Sequence, residues 1–171
     1  MTTKTQKIAI LGAAESGVGT AILATQQGFD VWVSDYGQIK PKYKESLNEH
    51  NINWEEGKHS EDKILDANMV MKSPGIPENA DIIQKIRKKG IAVVSEIEFA
   101  SRYTDAFIIA ITGSNGKTII KEWLYQILQQ EKKVIRSPRS FNSQLGVPLS
   151  LWPLNNQYEI AIIFMGPNVS L

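Results

Sequence analysis

The sequence predicts an α/β fold, in which a Rossmann-like, mostly parallel sheet domain is followed by an incomplete P-loop α/β domain. Short runs rich in Val and Ile alternate along the chain with longer amphipathic stretches, and this alternation is typical of parallel sheets covered by helices on both faces. Two of the predicted strands run directly into glycine-containing turns that open helices. α/β proteins use this arrangement to surround phosphate groups.

Each element follows from its local pattern. Apolar, β-branched runs predict strands at Lys7–Leu11, Asp30–Ser34, Met69–Met71, Ile91–Val94, Ala106–Ile111, Lys133–Ile135 and Ile160–Phe164. Helix-forming residues with apolar positions three and four apart predict helices at Ser16–Gln27, Lys42–Asn51, Asp81–Lys89, Ile97–Tyr103 and Lys117–Gln130.

A domain boundary is expected after Thr104, because the helical pattern stops there and a new strand opens at Ala106. Residues 1–104 are predicted to form the Rossmann-like domain, with about four or five strands. Residues 105–171 hold only about three predicted strands, which is few for an open α/β sheet. The second domain is therefore predicted to be a partial P-loop domain.

The composition excludes several classes of function. Lys and Arg together number 19 and Asp and Glu 18, so the near-neutral chain has no bulk attraction to nucleic acid or to anionic lipid. The chain has no cysteine, which excludes disulfides and suits a reducing compartment. Since no apolar run approaches the ~20 residues that cross a bilayer, we expect a soluble, cytoplasmic protein without a nucleic-acid partner or a membrane span.

The strongest motif is Thr112-Gly113-Ser114-Asn115-Gly116-Lys117-Thr118, between a predicted strand and a predicted helix. Glycines let backbone N–H groups surround a phosphate, Lys117 reaches the β- and γ-phosphates of ATP, and the Thr118 hydroxyl can bind Mg²⁺. Only two residues separate Gly113 from Gly116, so this is the shorter T-G-x-N-G-K-T variant. The alternative interpretation is an ordinary strand–turn–helix with a surface lysine.

A second glycine-containing turn, Gly12–Gly19, follows the first strand. It resembles the dinucleotide-binding turn G-x-G-x-x-G, but Ala14 occupies the position of the second glycine, where a pyrophosphate approaches the backbone. Asp35 ends the second predicted strand, where an acidic residue binds the ribose of NAD, although Asp is also common in turns. An NAD site is one interpretation of these residues.

A rigid turn, Lys72-Ser73-Pro74-Gly75-Ile76-Pro77, follows the strand Met69–Met71. Ligands of open α/β sheets bind outside the C-terminal ends of the strands, so the Ser73 hydroxyl and the N–H groups of this turn are candidate ligand contacts. The alternative is a tight turn with a structural role alone.

Two further features concern polar residues. The loop Ser137–Pro148 could hold a second substrate through Arg139 and Asn142, or it could be a solvated connection. His50 and His59 stand apart in polar surroundings and lack the spacing of metal ligands, so both are expected to be solvated.

In this order, the motifs resemble those of the Mur ligases, the ATP-dependent amide-bond enzymes of peptidoglycan precursor synthesis. The resemblance is greatest to the D-glutamate-adding branch of the family. It lies within residues 1–118, at Gly12–Gly19, Asp35, Ser73–Pro77, Val94–Glu98 and Ile111–Thr118.

The resemblance implies that the first domain binds the uridine diphosphate of UDP-N-acetylmuramoyl-L-alanine. The implied substrate contacts are Glu15 and Ser16 beside the pyrophosphate, Asp35 near the uracil, Ser73, Pro74 and Gly75 along the nucleotide, and Asn142 from the second domain.

The reaction that the resemblance implies is phosphorylation of the substrate carboxylate by ATP, followed by attack of the amine of D-glutamate on the acyl phosphate. Lys117 would be the catalytic residue, because together with Mg²⁺ at Thr118 it neutralises charge on the transferring phosphoryl group. The implied ATP contacts are Gly113, Ser114, Asn115, Gly116, Lys117 and Thr118.

Three features depart from the family pattern. Mur ligases are much longer, so this chain by itself is not expected to complete ligation. Lys117–Trp123 and Ser137–Leu151 look more like the D-alanyl-D-alanine-adding branch. Phe164 stands where the family usually has a Mg²⁺-binding glutamate, and a phenyl ring cannot coordinate a metal.

Other functions stay open at this point. The chain could be a non-catalytic UDP-sugar or nucleotide-binding module, an NAD(P)-dependent oxidoreductase, or a structural chain without a ligand. An incomplete second sheet would leave strand edges unpaired, so self-association through Ile160–Phe164 is expected.

Overall fold

The computed structural model describes residues 5–113, 115–136 and 158–164. The chain divides into two compact units, the first ending at Glu96 and the second beginning at Ile97. This division falls one helix before the boundary expected after Thr104. The extents of the two domains as 1–104 and 105–171 therefore stay a prediction.

The first unit alternates strands and helices. Its strands are β1 (Lys7–Leu11), β2 (Asp30–Asp35), β3 (Asn53–Glu56), β4 (Met69–Lys72) and β5 (Ala92–Val94). Its helices are α1 (Glu15–Gln26), α2 (Pro41–Glu49), α3 (Glu61–Leu65) and α4 (Asp81–Lys88), and α5 (Glu96–Ser101) begins at its last residue.

The five strands form one parallel sheet in the order β3-β2-β1-β4-β5. Ile10 in the central strand β1 lies opposite Val33 of β2 and Met71 of β4. The chain runs outwards from β1 to β3 and then returns to β4, so the strand order reverses between β1 and β4. Ligands of open α/β sheets bind in the crevice at such a reversal. The predicted Rossmann-like sheet is confirmed.

Helices cover both faces of this sheet. Ile8 to Leu11 of β1 are all buried, as expected for a strand covered on both sides. On one face Ala9, Leu11 and Val70 pack with apolar residues of α3 and α4. On the other face, α1 lies so close to β1 that a methyl group added to Gly17 would be 3.5 Å from Ile10 Cγ2.

β3 and α3 were not predicted, and the reason differs for each. β3 has the sequence Asn-Trp-Glu-Glu, which lacks the β-branched residues by which strands are found. It lies at the edge of the sheet, where polar residues are tolerated. α3 has five residues, too few for a helical period to appear. The other predicted strands and helices are present with ends within two residues of those expected.

The second unit contains β6 (Phe107–Ile111), α6 (Lys117–Leu128), β7 (Val134–Arg136) and β8 (Ile160–Phe164). The strands are parallel, in the order β6-β8-β7. Ile111, Val134 and Ile162 form the buried core of this unit, and Leu124 and Leu128 of α6 pack against it. α6 also has a set of exposed apolar side chains, at Ile119, Ile120, Trp123 and Ile127.

The expectation that the second sheet associates through Ile160–Phe164 is wrong about the strand. β8 pairs with β6 on one side and with β7 on the other, so its backbone N–H and C=O groups are already used along the paired stretch. Among the described strands of this sheet, the outer ones are β6 and β7. An unpaired edge would therefore be offered by one of those strands.

Within the described ranges, every helix is too short or too polar to span a bilayer.

Gly17→Ala should destabilise the first unit. A Cβ at this position would lie 1.8 Å from the carbonyl oxygen of Gly12, so the N-terminus of α1 would have to move away from the sheet. Overpacking of this kind costs about 1–3 kcal/mol, and we expect a loss of that size in the free energy of unfolding from urea denaturation. Gly75→Ala is the matched control, because its added methyl group meets nothing within 4 Å. Equal stability of the two variants would contradict the packing described here.

Candidate functional site

The loops that follow β1 and β4 begin side by side at one edge of the first sheet. The Gly12 N–H donates to the Ser34 carbonyl at 2.9 Å, and the Ser73 N–H donates to the Leu11 carbonyl at 3.0 Å. The reversal of strand order is therefore bordered by Gly12 and Ser73.

Gly12 is needed for the approach of these two loops. Its φ of +95° is in the range that favours glycine. A Cβ at this position would lie 2.6 Å from Ser73 Oγ, which is closer than such atoms can come. Ser73 Oγ is itself buried and has no hydrogen-bond partner among the residues that the structure describes. A buried hydroxyl without a partner is costly, so this atom is a candidate ligand contact.

Asp35 connects the end of β2 to the first loop. One carboxylate oxygen accepts a hydrogen bond from the Ala13 N–H at 2.6 Å, and the other accepts from the Gly37 N–H at 2.8 Å. These bonds fix the backbone of the loop after β1 and of the loop after β2. Asp35 thus lies at the same sheet edge as Gly12, where a nucleotide contact was predicted.

The N-terminus of α1 enters this edge. Its N-cap is Ala14, which has no side chain able to cap the first turn, so within the described residues the first N–H groups of the helix lack a side-chain cap. Such groups attract anions. Ser16 is buried in the first turn, whereas Glu15 adds a negative charge there. An anionic ligand would therefore be held by the backbone of this turn rather than by the Glu15 carboxylate.

Lys72 holds the turn that contains Ser73, Pro74 and Gly75. Its ammonium group donates to the Ile76 carbonyl at 2.8 Å and lies 3.1 Å from Glu78 Oε1. The turn is closed by the Ile76 N–H, which donates to the Ser73 carbonyl at 3.1 Å. The hydrogen bond from Lys72 lowers the pKa of Glu78.

Glu96 is a buried acid for which the sequence predicted no individual role. It follows β5 by two residues and is 2% exposed, and its Oε2 has no hydrogen-bond partner among the described residues. Burial raises its pKa, although its own backbone N–H and the charge of Lys72 act in the opposite direction. An acidic residue directly after a strand of a parallel sheet was the available signal.

His59 corrects an expectation. The ring was expected to be solvated, but it is half-buried, and its Nδ1 lies 2.7 Å from the buried Ser34 Oγ. His50 is also half-buried, and its Nδ1 bonds to the Ser46 carbonyl one turn earlier in α2. Burial lowers the pKa of His59, while the charges of Glu55 and Asp35 raise it by a smaller amount.

The phosphate loop of the second unit joins β6 to α6. Gly113 and Gly116 have φ of +129° and +77°, values that favour glycine. Gly116 is the N-cap of α6 and offers no side chain to the helix N–H groups. Thr112 and Asn115 are exposed, and Lys117 and Thr118 begin the helix half-buried. This strand, turn and helix N-terminus have the order by which phosphates are bound.

One helical turn after the phosphate loop, charged side chains hold α6 in position. Lys121 is fully buried, and its Nζ lies 3.2 Å from Glu122 Oε1. The other oxygen of Glu122 lies 2.9 Å from the Arg136 guanidinium, which stacks over the Tyr125 ring at 3.7 Å. These contacts attach α6 to β7.

Several predicted residues lie outside the described ranges. They are Ser114, Arg139 and Asn142. The Phe164 side chain is outside them too, although the backbone of this residue pairs in β8. The structure therefore brings together the predicted contacts of the first unit at one sheet edge, and those of the second unit, apart from Ser114 and Asn142, at one turn.

Family models match the two segments of the chain that contain the glycine turns at Gly12 and at Gly113. The model of the MurD N-terminal domain matches residues 7–82, and the model of the Mur ligase middle domain matches residues 111–169. These two segments belong to one family, and together they span most of the chain. The chain belongs to the Mur ligase family. Its resemblance to this family is thereby confirmed, whereas the likeness of the segment after the phosphate loop to the D-alanyl-D-alanine-adding branch stays a prediction.

Curated relatives of this Mur ligase chain include proteins named UDP-N-acetylmuramoylalanine–D-glutamate ligase. The Porphyromonas gingivalis W83 protein is 60% identical over 121 residues, which are 71% of this chain and 27% of that protein. The Christiangramia forsetii protein is 56% identical over 125 residues, which are 73% of this chain and 28% of that protein. The chain thus spans about a quarter of the length of these relatives.

Solved Mur ligases share the fold. UDP-N-acetylmuramate:L-alanyl-gamma-D-glutamyl-meso-diaminopimelate ligase from Neisseria meningitides aligns with a TM-score of 0.60 at 18% identity, over 94% of this chain and 52% of that one. UDP-N-acetylmuramate-alanine ligase MurC from Thermotoga maritima aligns with a TM-score of 0.55 at 17% identity, over 94% of this chain and 37% of that one.

Glu96→Gln should change how the stability of this Mur ligase chain depends on pH. Burial raises the pKa of Glu96 in the folded state above its ordinary value of 4.5, so the unfolded chain releases this proton more readily. Wild type therefore loses stability as the pH rises from the ordinary pKa through the folded one. Glutamine has no proton to lose, and we expect the stability of the variant relative to wild type to increase as the pH rises above the ordinary pKa of 4.5.

Urea denaturation of both proteins across this pH range measures the effect. Any constant cost of the buried amide cancels in the comparison between pH values. Glu98→Gln serves as the control because Glu98 is exposed. A stability difference between Glu96→Gln and wild type that stays constant with pH would contradict the raised pKa.

Proposed function

We propose that this chain supplies the UDP-sugar site and part of the ATP site of a ligase that joins D-glutamate to UDP-N-acetylmuramoyl-L-alanine in peptidoglycan precursor synthesis. The observation that carries this proposal is the identity of 60% over 71% of the chain to a ligase of that name. The clustering of Gly12, Asp35 and Ser73 at the strand-order reversal supports a nucleotide site in the same segment.

In the proposed UDP-sugar site, the first N–H groups of α1 face the diphosphate, and Ser73 Oγ donates a hydrogen bond to a phosphate oxygen. The support for this is the missing side-chain cap of α1 and the buried Ser73 hydroxyl, which has no hydrogen-bond partner among the described residues. Pro74 and Gly75 would line the nucleotide beside Ser73. Asp35 would act by holding the backbone of the loops after β1 and β2, since Ala13 and Gly37 donate to its two oxygens.

In the proposed reaction, the carboxylate of the UDP-sugar attacks the γ-phosphorus of ATP and ADP leaves. The amine of D-glutamate then attacks the acyl phosphate, and inorganic phosphate leaves as the amide forms. The ammonium group of Lys117 would neutralise charge on the transferring phosphoryl group. The N–H groups around Gly113 and Gly116 would hold the remaining phosphate oxygens.

The described residues do not complete a Mg²⁺ site. Thr118 supplies one hydroxyl at the phosphate loop, and no group of three or more His, Asp or Glu side chains in the described ranges could hold a metal. Mg²⁺ in such sites is held by one or two carboxylates together with substrate phosphates. We therefore propose Thr118 as one ligand of an ATP-bound Mg²⁺ and derive no metal-assisted step.

A second candidate is a non-catalytic module that binds a UDP-sugar. Phe164 favours it, because this residue replaces the acidic ligand expected at the end of β8. The NAD(P)-dependent alternative is less well supported, because Ala14 stands where the dinucleotide-binding turn has the glycine at which a pyrophosphate approaches the backbone.

Ser73→Ala should weaken UDP-sugar binding without loss of stability. The variant removes a buried hydroxyl that has no partner in the described part of the chain, so the free energy of unfolding should be unchanged or higher. A hydrogen bond to a charged phosphate contributes about 1.5–3 kcal/mol, and we expect an affinity at least about tenfold lower by calorimetry with UDP-N-acetylmuramoyl-L-alanine. Ser101→Ala, on α5, is the control. Unchanged affinity in Ser73→Ala would remove this residue from the site.

Lys117→Ala should abolish or strongly weaken ATP binding and leave UDP-sugar binding intact. The side chain is the one cation of the phosphate-loop motif, and loss of a charged hydrogen bond of about 1.5–3 kcal/mol lowers affinity by about tenfold or more. Calorimetry with ATP and Mg²⁺ measures the affinity for ATP. Lys133→Ala is the control, because Lys133 is an exposed lysine of the same unit. UDP-sugar binding with no ATP response in wild type would favour the binding module over the ligase.

A further inference from the structure

Four side chains form a hydrogen-bonded cluster at the C-terminal ends of β2 and β3. The Ser34 hydroxyl lies 2.8 Å from Glu55 Oε1 and 2.7 Å from His59 Nδ1. Ser60 contributes its N–H, at 2.7 Å from Glu55 Oε1, and its hydroxyl, at 2.5 Å from Glu55 Oε2. Ser34 and Glu55 are buried, whereas the His59 ring reaches the surface.

Glu55 is ionised in this cluster. Burial by itself raises the pKa of the carboxyl, but hydrogen bonds from Ser60, Ser34 and Trp32 together bring the pKa below its ordinary value. The Trp32 contact is the longest, with 3.4 Å between Nε1 and Glu55 Oε1. A carboxylate has no proton and can only accept hydrogen bonds.

The charge of Glu55 decides the tautomer of His59. Ser34 has one hydroxyl proton, and its two acceptors in this cluster are Glu55 Oε1 at 2.8 Å and the Lys58 carbonyl at 3.3 Å. The shorter bond to a charged acceptor is the stronger, so Ser34 donates to Glu55. The Ser34 oxygen then accepts from His59 Nδ1. Neutral His59 therefore carries its proton on Nδ1, and its Nε2 has a lone pair that accepts a hydrogen bond.

This acceptor lies next to the proposed nucleotide site. The His59 ring packs against Tyr36, with ring centroids 5.8 Å apart and planes inclined at 46°, and Tyr36 is 75% exposed. Tyr36 follows Asp35 directly, and the Gly57 N–H bonds to the Gly37 carbonyl at 3.2 Å, which joins the two loops. In the described part of the chain, Nε2 of His59 has no hydrogen-bond partner.

We propose that His59 selects the base of the nucleotide, with its Nε2 accepting the N3–H of a uracil ring that packs against Tyr36. This inference rests on the proposed UDP-sugar site. Uracil carries a donor at N3, whereas N3 of cytosine is an acceptor, so two lone pairs would face each other in a cytosine complex. Selection by an unfavourable pairing of this kind is a general source of specificity. His59 is thus a specificity-determining residue and Tyr36 a residue that packs against either base, and neither touches the reacting carboxylate.

Calorimetry with UDP and with CDP on the 171-residue chain tests the proposal. Wild type should bind UDP at least about tenfold more tightly than CDP, because a hydrogen bond is replaced by two unpaired acceptors. His59→Phe keeps a ring against Tyr36 but removes the acceptor, and it should bring the two affinities within about threefold of each other. Tyr36→Ala should weaken both ligands by a similar factor of about fivefold or more.

Two controls separate this role from a structural one. His50→Phe makes the same exchange at the C-cap of α2, where the ring bonds to the Ser46 carbonyl, and it should keep the wild-type preference for UDP. The ¹⁵N chemical shifts of the His59 imidazole in wild type report the tautomer without any variant. They should identify Nδ1 as the protonated nitrogen at neutral pH.

The outcomes are distinguishable. A preference for UDP that persists in His59→Phe, or a proton on Nε2 in the free protein, overturns the role of His59 and leaves the UDP-sugar site standing. Wild type that binds neither UDP nor CDP overturns both. A preference lost in His59→Phe and kept in His50→Phe supports the proposal.

Discussion

The close approach of α1 to the end of β1 is the constraint on which the first unit depends. The Gly17 α-carbon lies so near the Gly12 carbonyl that no side chain fits between them. This contact determines how closely the N-terminus of α1 approaches the end of β1. Gly12 also lies directly beside the Ser73 hydroxyl, so the two loops that border the strand-order reversal are closely packed. A binding site with a preformed backbone loses less conformational entropy when a ligand arrives.

Much of this architecture could be predicted from hydrophobic pattern alone. Strands such as Lys7–Leu11 are buried on both faces and therefore have continuous apolar sequences, which are easy to detect. β3 could not be found in this way, because an edge strand can carry glutamates. The central place of β8 was also missed. The unbroken apolar run Ile160–Phe164 was consistent with a central strand, but strand order depends on pairing between distant segments, which a local pattern does not contain.

The site was predictable to a different degree. Turns with glycine or proline have local causes, so the loops at Gly12, Ser73 and Gly116 could be located, and they lie at strand ends as expected. Glu96 and His59 could not be assigned, because their properties come from the fold. Glu96 has a raised pKa only because packing excludes water from it. His59 has a defined tautomer only because Ser34 and Glu55, far from each other in sequence, meet beside it.

The pairing of β8 has a consequence for how the second unit folds. Phe107 pairs with Ile160 across roughly fifty residues of chain, and loops of this length cost entropy to close. In the first unit, β1 and β2 pair between Lys7 and Asp30, so they meet after a much shorter segment. Among the described strands of this sheet, β6 and β7 each pair only with β8, which is synthesised last. On the ribosome, the first unit can therefore assemble while α6 and its flanking strands still wait for their central strand.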